Sequence, residues 1–343
     1  MKKKIGIIGH FGKEKKFFDG QTIKTREVNE YIEKFFDIKI DKFDTYKITH
    51  NPIKLIYNTI KILKNNDIVI VILYTRGYKI ILPILMMFNK FYKRRIFDFV
   101  IGGKRYEIYK NNNHITRLSK KIEKIYVETN KIKEEYNKRN INNVDVISNF
   151  KILAPAKFRK TKKSKIKICI FSRILKEKGI EESIKSVIRA NNEIGKEIFT
   201  LDIYGEIQEN YKQEFDLIVD NSPKYIKYLG KVDYYKSVNV INNYDIMLFL
   251  TYYKNEGFPG TIIDSLYSGV PVIATEWNYN FEILKEDYTG IKVKIKDIDM
   301  TVGKLIYLYN NINVIDNMKK NCLKETKKYE PDTVMKKFID LIK

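Results

Sequence analysis

Between Tyr244 and Leu284 the chain spells out a strand, a loop, a helix and a second strand, and that succession leaves few folds open. Ile246-Met247-Leu248-Phe249-Leu250 is an unbroken apolar run of strand length, the pattern of a parallel strand covered on both faces. A loop holding Glu256-Gly257-Phe258-Pro259-Gly260 comes next, and a helix is expected from Thr261 to Ser268. Gly269 is placed to end that helix and Pro271 prevents its continuation. Val270 to Thr275 then reads as another short buried strand. Such a loop presents backbone N–H groups at a helix N-terminus, the positive end of the dipole, where phosphate or sugar hydroxyls can be held. Glu256 stands in the loop, and Asp264 is expected about two turns into the helix.

The same alternation runs through the rest of the chain. At 343 residues it is too long for one ordinary core and fits two domains. Strands are expected at Lys4–Gly9, Ile38–Lys42, Asp67–Leu73, Ile96–Ile101 and Val144–Ile147, with helices at Ile23–Phe36, Pro52–Lys64 and Gly77–Tyr92. Between Lys120 and Arg139 a strand-like IYVET is flanked by helical pieces. Residues 156–165, AKFRKTKKSK, have no apolar pattern and read as a basic linker between a domain at 1–155 and one at 166–330. The second half restarts with a strand at Ile166–Phe171, a helix at Ile180–Asn191 and a strand at Leu201–Tyr204, and a last helix at Thr333–Ile342 follows Pro331. Alternating strands and helices imply parallel sheets with right-handed crossovers, an α/β class.

No apolar run approaches the roughly 18–20 residues of a membrane span. The opening MKKKIGIIGHFG has an apolar part too short for a signal peptide, so a cytoplasmic protein is expected. Two cysteines, Cys169 and Cys322, suggest neither a disulfide framework nor a metal cluster. After the first strand come His10-Phe11-Gly12 and Asp19-Gly20-Gln21-Thr22, which do not form a G-x-G-x-x-G and so weaken a dehydrogenase reading. Of the other histidines, His50 and His114 read as loop residues, while His10 is placed to face a cleft.

The run E-G-F-P-G-T-I-I-D-S-L-Y-S-G-V-P-V-I-A-T resembles the donor-site signature of the retaining nucleotide-sugar glycosyltransferase family 4, of GT-B architecture. The agreement covers some twenty residues, with Asp264 standing where that family usually has Glu. Further segments resemble the same family: Ser172-Arg173 with Glu177-Lys178-Gly179, Leu201–Gly205, Tyr228–Val232, and Ser148-Asn149-Phe150. The family's T-x-H-G-like pattern near Gly102-Gly103 is absent, and its paired-glycine first loop is reduced to Gly20.

The resemblance implies two Rossmann-like domains facing a central cleft, with residues 331–343 crossing back to the first. It implies transfer of a sugar from a nucleotide diphosphate-sugar, UDP-sugar favoured, to a glycan or lipid-diphosphate-linked acceptor in bacterial surface polysaccharide synthesis, with retention. Arg173 and Lys178 would hold the departing phosphate. Glu256 would act on the sugar with the backbone of Gly257 and Phe258, and Asp264 would hold the ribose. Gly205, Gly230, Lys231, Val232, Gly260, Thr261 and Gly20 complete the expected donor side. No Asp-x-Asp pair reads as metal-binding, so neither a metal nor another cofactor is expected.

The net charge of +23 is lopsided: residues 1–165 hold 39 Lys and Arg against 16 Asp and Glu, whereas residues 166–343 hold 26 of each. A basic half suits a polyanionic neighbour. Lys90, Lys93, Arg94 and Arg95 beside the apolar Ile80–Phe91 stretch mark a candidate contact with an anionic membrane, peripheral on its cytoplasmic face. Three rival readings are an epimerase or phosphorylase of the same fold, a nucleic-acid-binding protein and a non-catalytic subunit. No helix-turn-helix, RNP or zinc pattern supports nucleic acid.

Overall fold

A computed structural model describes residues 3–12, 20–46 and 51–343, so Asp19 and His50 lie outside the described residues. The chain divides into two units, Met1–Ile152 with Val334–Lys343, and Leu153–Thr333.

The first unit runs β1 (Ile5–Gly9), α1 (Gly20–Phe36), β2 (Asp41–Asp44), α2 (Pro52–Asn65), β3 (Ile68–Ile72) and α3 (Thr75–Tyr92). It continues through β4 (Arg95–Phe99), α4 (Asn113–Ser119), β5 (Lys124–Val127), α5 (Asn130–Asn137) and β6 (Val144–Val146). The six strands form a parallel sheet in the order β2-β1-β3-β4-β5-β6. β1 and β3 pair from Ile5↔Ile68 to Gly9↔Ile72, and every residue of both is buried, as their IGIIG and IVIVI sequences require of strands with helices on both faces. His114 opens α4 instead of standing in a loop, because Asn112 caps that helix by accepting from the Ile115 amide.

Charge is also buried in this unit. Asp98 on β4 and Arg105 form an ion pair with both side chains fully enclosed. The guanidinium lies 4.1 Å from the Tyr78 ring centroid and donates to the Leu73 carbonyl at 3.2 Å. Burial, the largest single influence, would lower the pKa of Arg105; the facing Asp98 carboxylate together with Tyr136, Tyr78 and Tyr109 outweighs it and raises that pKa. Lys24 on α1 is enclosed too and donates to the Ser148 carbonyl and to Asn149 Oδ1, at 3.0 and 2.8 Å, fixing the turn after β6.

In the second unit β7 (Ile166–Phe171), α6 (Ile180–Ile194), β8 (Phe199–Tyr204), α7 (Lys212–Asp220), β9 (Ile226–Gly230), α8 (Ser237–Ile241) and β10 (Ile246–Phe249) come first. α9 (Gly260–Tyr267), β11 (Val272–Thr275), α10 (Asn280–Ile283), β12 (Gly290–Val293), α11 (Ile298–Asn310) and α12 (Ile312–Glu325) follow. This sheet is also parallel, in the order β12-β11-β10-β7-β8-β9. The chain moves outward from β7 to β9, then returns to β7's other side with β10. That reversal makes the carboxyl ends of β7 and β10 a topological switch point, where open parallel sheets hold ligands. The amides of Gly269 and Val270 turn back to the carbonyls of Leu266 and Ser265, which stops α9.

The basic stretch 156–165 is bonded along the second unit: the Ala156 amide donates to the Tyr267 carbonyl and Arg159 to the Asn242 carbonyl. The last helix, α13 (Pro331–Ile342), puts Val334, Met335, Phe338, Ile339 and Ile342 into the first unit's core. Phe338 meets Phe97 and Phe99 edge-on, each with centroids 5.2 Å apart.

Candidate active site

The candidate site gathers at the switch point of the second unit. β7 ends in Phe171, and Arg173 follows it; β10 ends in Phe249, and the chain from Leu250 to Pro259 leads into α9. Lys178 sits in a short 3-10 turn (Lys176–Lys178) closed by Gly179, whose φ is +72°. A Cβ on Gly179 would lie 2.3 Å from the Leu250 carbonyl oxygen, so only glycine lets this turn press against the end of β10. The hydrogen bond from the Tyr252 amide to the Glu177 carbonyl, 2.8 Å, joins the two segments.

This contact joins Lys178 to Glu256, 78 positions apart in sequence, as an ion pair. Their side chains are only 7% and 12% exposed, so the pair is sheltered without being sealed. Thr251 Oγ1 donates to the same Glu256 oxygen at 3.2 Å, and Asn278 Nδ2 donates to the Glu256 carbonyl at 3.0 Å. Lys178 Nζ also stands over the rings of Phe249 and Tyr253, at 5.3 and 5.5 Å from their centroids. The exposed Arg173 guanidinium lies over the same Tyr253 ring, at 5.6 Å. Arg173 makes no ion pair among the described residues. Two cations therefore share one aromatic surface, one neutralised by a carboxylate and the other open to an anion.

α9 begins at Gly260, so Asp264 lies about one turn into the helix, not two. Its carboxylate is buried, and Oδ1 accepts from the Ser237 hydroxyl of α8 at 3.0 Å. Thr261 spends its hydroxyl on the Phe171 carbonyl, 2.6 Å away, tying the start of α9 to the end of β7. Phe258 turns its ring inward against Tyr329, with centroids 6.1 Å apart, so only its backbone is left for a ligand.

At the ends of β8 and β9, the Gly205 amide donates to the Gly230 carbonyl at 2.9 Å. Gly205 has φ +150°, and a Cβ there would come within 1.7 Å of the Ser172 carbonyl oxygen, so this position also needs glycine. Lys231 is paired with Glu206 at 2.9 Å on the surface, and Val232 is half-buried beside it.

The remaining expected residues lie in the first unit. Gly20 is the exposed first residue of α1, and a Cβ there would meet nothing within 4 Å. His10 Nδ1 is 2.7 Å from Thr22 Oγ1. Lys90 and Lys93 are exposed at the end of α3. Arg94 and Arg95 are engaged: Arg94 donates to the Leu63 carbonyl at 3.0 Å and pairs with Asp67, and Arg95 Nε donates to Glu123 at 2.8 Å. Thr251, Tyr253, Asn278 and Ser237 were not expected from sequence, because each is placed by contacts between distant segments.

The chain as a whole is similar to known proteins. The family model described as "Glycosyl transferases group 1" matches residues 154–328. An uncharacterized glycosyltransferase of Methanocaldococcus jannaschii is 22% identical, over 93% of this chain and 92% of that one. The UDP-Gal:alpha-D-GlcNAc-diphosphoundecaprenol alpha-1,3-galactosyltransferase of Escherichia coli is 26% identical over 41% of this chain and 35% of that protein. Among solved structures, Alr3699/HepE of Anabaena in complex with UDP-glucose superposes with a TM-score of 0.74 at 11% identity, covering 99% of both chains.

Proposed function

Since the chain belongs to the glycosyl transferases group 1 and is a glycosyltransferase of GT-B fold, we propose that it moves a sugar from a UDP-sugar to a glycan or lipid-diphosphate-linked acceptor, with retention. The observation that carries the reading is the pairing of Lys178 with Glu256 beside the unpaired Arg173, at the carboxyl ends of β7 and β10. As the bond between sugar and diphosphate breaks, negative charge grows on the departing phosphate and positive charge on the sugar ring. Arg173 and Lys178 meet the first, acting where charge develops and supplying fixed positive charge without a metal. Lys178 turns from Glu256 to the phosphate, and the released carboxylate accepts sugar hydroxyls beside the backbone of Gly257 and Phe258. Gly230-Lys231-Val232 lies on the base side.

The UDP choice draws on the Anabaena protein solved with UDP-glucose, and the lipid-linked acceptor on the similarity to the Escherichia coli alpha-D-GlcNAc-diphosphoundecaprenol galactosyltransferase. Such an acceptor suits a role in surface polysaccharide synthesis. An epimerase of the same fold would need no acceptor and a phosphorylase would pass the sugar to inorganic phosphate, so release of UDP that depends on a glycan or lipid-linked acceptor separates the readings.

The test is calorimetry with UDP, GDP, ADP and uridine. Arg173→Ala should weaken UDP binding by about 1.5–3 kcal/mol, the scale of a charge-assisted hydrogen bond, and leave uridine binding unchanged. Equal losses for both ligands would remove Arg173 from the phosphate. Tighter binding of GDP or ADP than of UDP by the wild-type protein would overturn the base assignment.

Asp264 is assigned to the ribose, with Ser237 as its positioning residue. Ser237→Ala should raise the dissociation constant of UDP by about three- to ten-fold, through loss of the hydroxyl that positions the Asp264 carboxylate, and leave inorganic diphosphate binding as it was. A parallel loss for diphosphate would show that α8 had shifted as a whole.

A further inference from the structure

The first unit carries an apolar surface that its own fold does not use. α2 buries Leu55, Thr59, Ile62 and Leu63, and α3 buries Tyr78, Ile81, Leu82, Leu85 and Met86. One such stripe is all that a helix needs to cover a sheet. Both helices carry a second. At about 100° per residue, Ile53, Tyr57 and Ile60 fall on α2 roughly opposite its buried stripe, and Ile80, Ile84, Met87 and Phe91 do the same on α3. Ile53 is 81% exposed, Phe91 80%, Tyr57 63% and Met87 50%. α2 and α3 pack side by side, and the bond from Arg94 to the Leu63 carbonyl fastens the end of one to the residues after the other. The two outer stripes therefore form one surface.

Charge identifies the partner. Neither helix contains an acidic residue, while between them they carry Lys54, Lys61, Lys64, Arg76, Lys79 and Lys90. A second copy docked symmetrically on this face would set lysines against lysines. Nucleic acid would satisfy the lysines and leave Ile53, Met87 and Phe91 against a hydrated polyanion. An anionic bilayer satisfies both groups, with apolar side chains at the acyl boundary and the flanking lysines among the headgroups. No helix among the described residues is long and apolar enough to cross a membrane, so the contact lies in the plane of the surface.

We propose that the outer face of α2 and α3 docks this protein on an anionic lipid surface. Arg94 and Arg95, grouped with Lys90 and Lys93 on sequence grounds, take no part, being spent on Leu63, Asp67 and Glu123. The proposal concerns the first unit alone and does not require the sugar-transfer reading.

Flotation of the full-length protein with vesicles of phosphatidylcholine, alone or mixed with phosphatidylglycerol, tests it. The wild-type protein should float with the mixed vesicles at low salt, stay behind with pure phosphatidylcholine, and be released as salt shortens the Debye length. Lys54→Gln/Lys61→Gln/Lys79→Gln should lower partitioning roughly a hundred-fold, at about five-fold per charge. Ile53→Ser/Phe91→Ser should lower it about ten-fold or more, through lost apolar burial. UDP binding should be unchanged in both variants, which also reports that they fold. Failure of the wild-type protein to float with acidic vesicles at low salt would overturn the proposal. So would equal flotation on pure phosphatidylcholine, or an Ile53→Ser/Phe91→Ser variant that floats normally but turns a dimer into a monomer in sedimentation velocity. Protein that floats yet binds no UDP would leave the docking surface standing and sink the donor site; protein that binds UDP without floating would do the reverse.

Discussion

Lys178→Ala and Glu256→Gln should each reduce turnover by about two to three orders of magnitude, and the double variant should be little worse than either single one. The reason is geometric. Both side chains are sheltered, and each is the other's only ion-pair partner among the described residues. The structure pairs the carboxylate with the ammonium; on the proposed reading, with donor bound, the two would act on opposite ends of the same breaking bond. Removing one leaves the other misplaced, so the second removal has little left to disturb. A double-mutant cycle on the release of UDP should therefore give a coupling of about 2.7–4 kcal/mol, close to the whole effect of one single variant. Ligand binding separates the two roles. Lys178→Ala should weaken UDP by about 1.5–3 kcal/mol. Glu256→Gln should leave UDP affinity equal or higher, because Lys178 loses the carboxylate that competes with phosphate. Multiplicative rate effects, or an equal loss of UDP affinity in both variants, would show that the pair is not the working unit.

Asp98→Ala should destabilise the first unit by about 3–5 kcal/mol, a large part of the 5–15 kcal/mol typical of a domain. The change leaves the Arg105 guanidinium fully buried without its counter-charge, held only by Tyr78, Tyr136 and the Leu73 carbonyl. Asp98→Leu/Arg105→Met should recover most of the loss, since the cost lies in an unpaired buried charge and not in the missing attraction. Urea titration of the full-length protein checks this, with hydrogen exchange at the β3 and β4 amides reporting which unit opens. A double variant as unstable as Asp98→Ala would mean that shape, not charge, decides stability there.

Much of this architecture can be read from local sequence because its causes are local. Unbroken runs such as IVIVI mark strands covered on both faces, and Gly269 followed by Pro271 stops a helix wherever the chain goes next. The proposed site residues Glu256, Arg173 and Lys178 can be named from sequence for a similar reason: their motifs are short and sit where a parallel strand must end. The α2–α3 face was only half legible. The Ile80–Phe91 stretch reads alike as core or as surface until the buried stripe is known, and Arg94 and Arg95 look free until Asp67 and Glu123 arrive from elsewhere in the chain.

The sequence by itself determined the alternation of strands and helices and the parallel character of the sheets, and it marked the loop to which the proposed function assigns the donor. Periodicity, glycine and proline act within a few residues of themselves. Only the tertiary structure decided the partners. It joined Lys178 to Glu256 across 78 positions, set Ser237 against Asp264, and closed Arg105 over Asp98. It also returned β10 to the far side of β7, which creates the switch point itself. Those pairings follow from strand order and from close backbone approaches such as Gly179 at the Leu250 carbonyl, and no local pattern encodes which distant segment will fill that space.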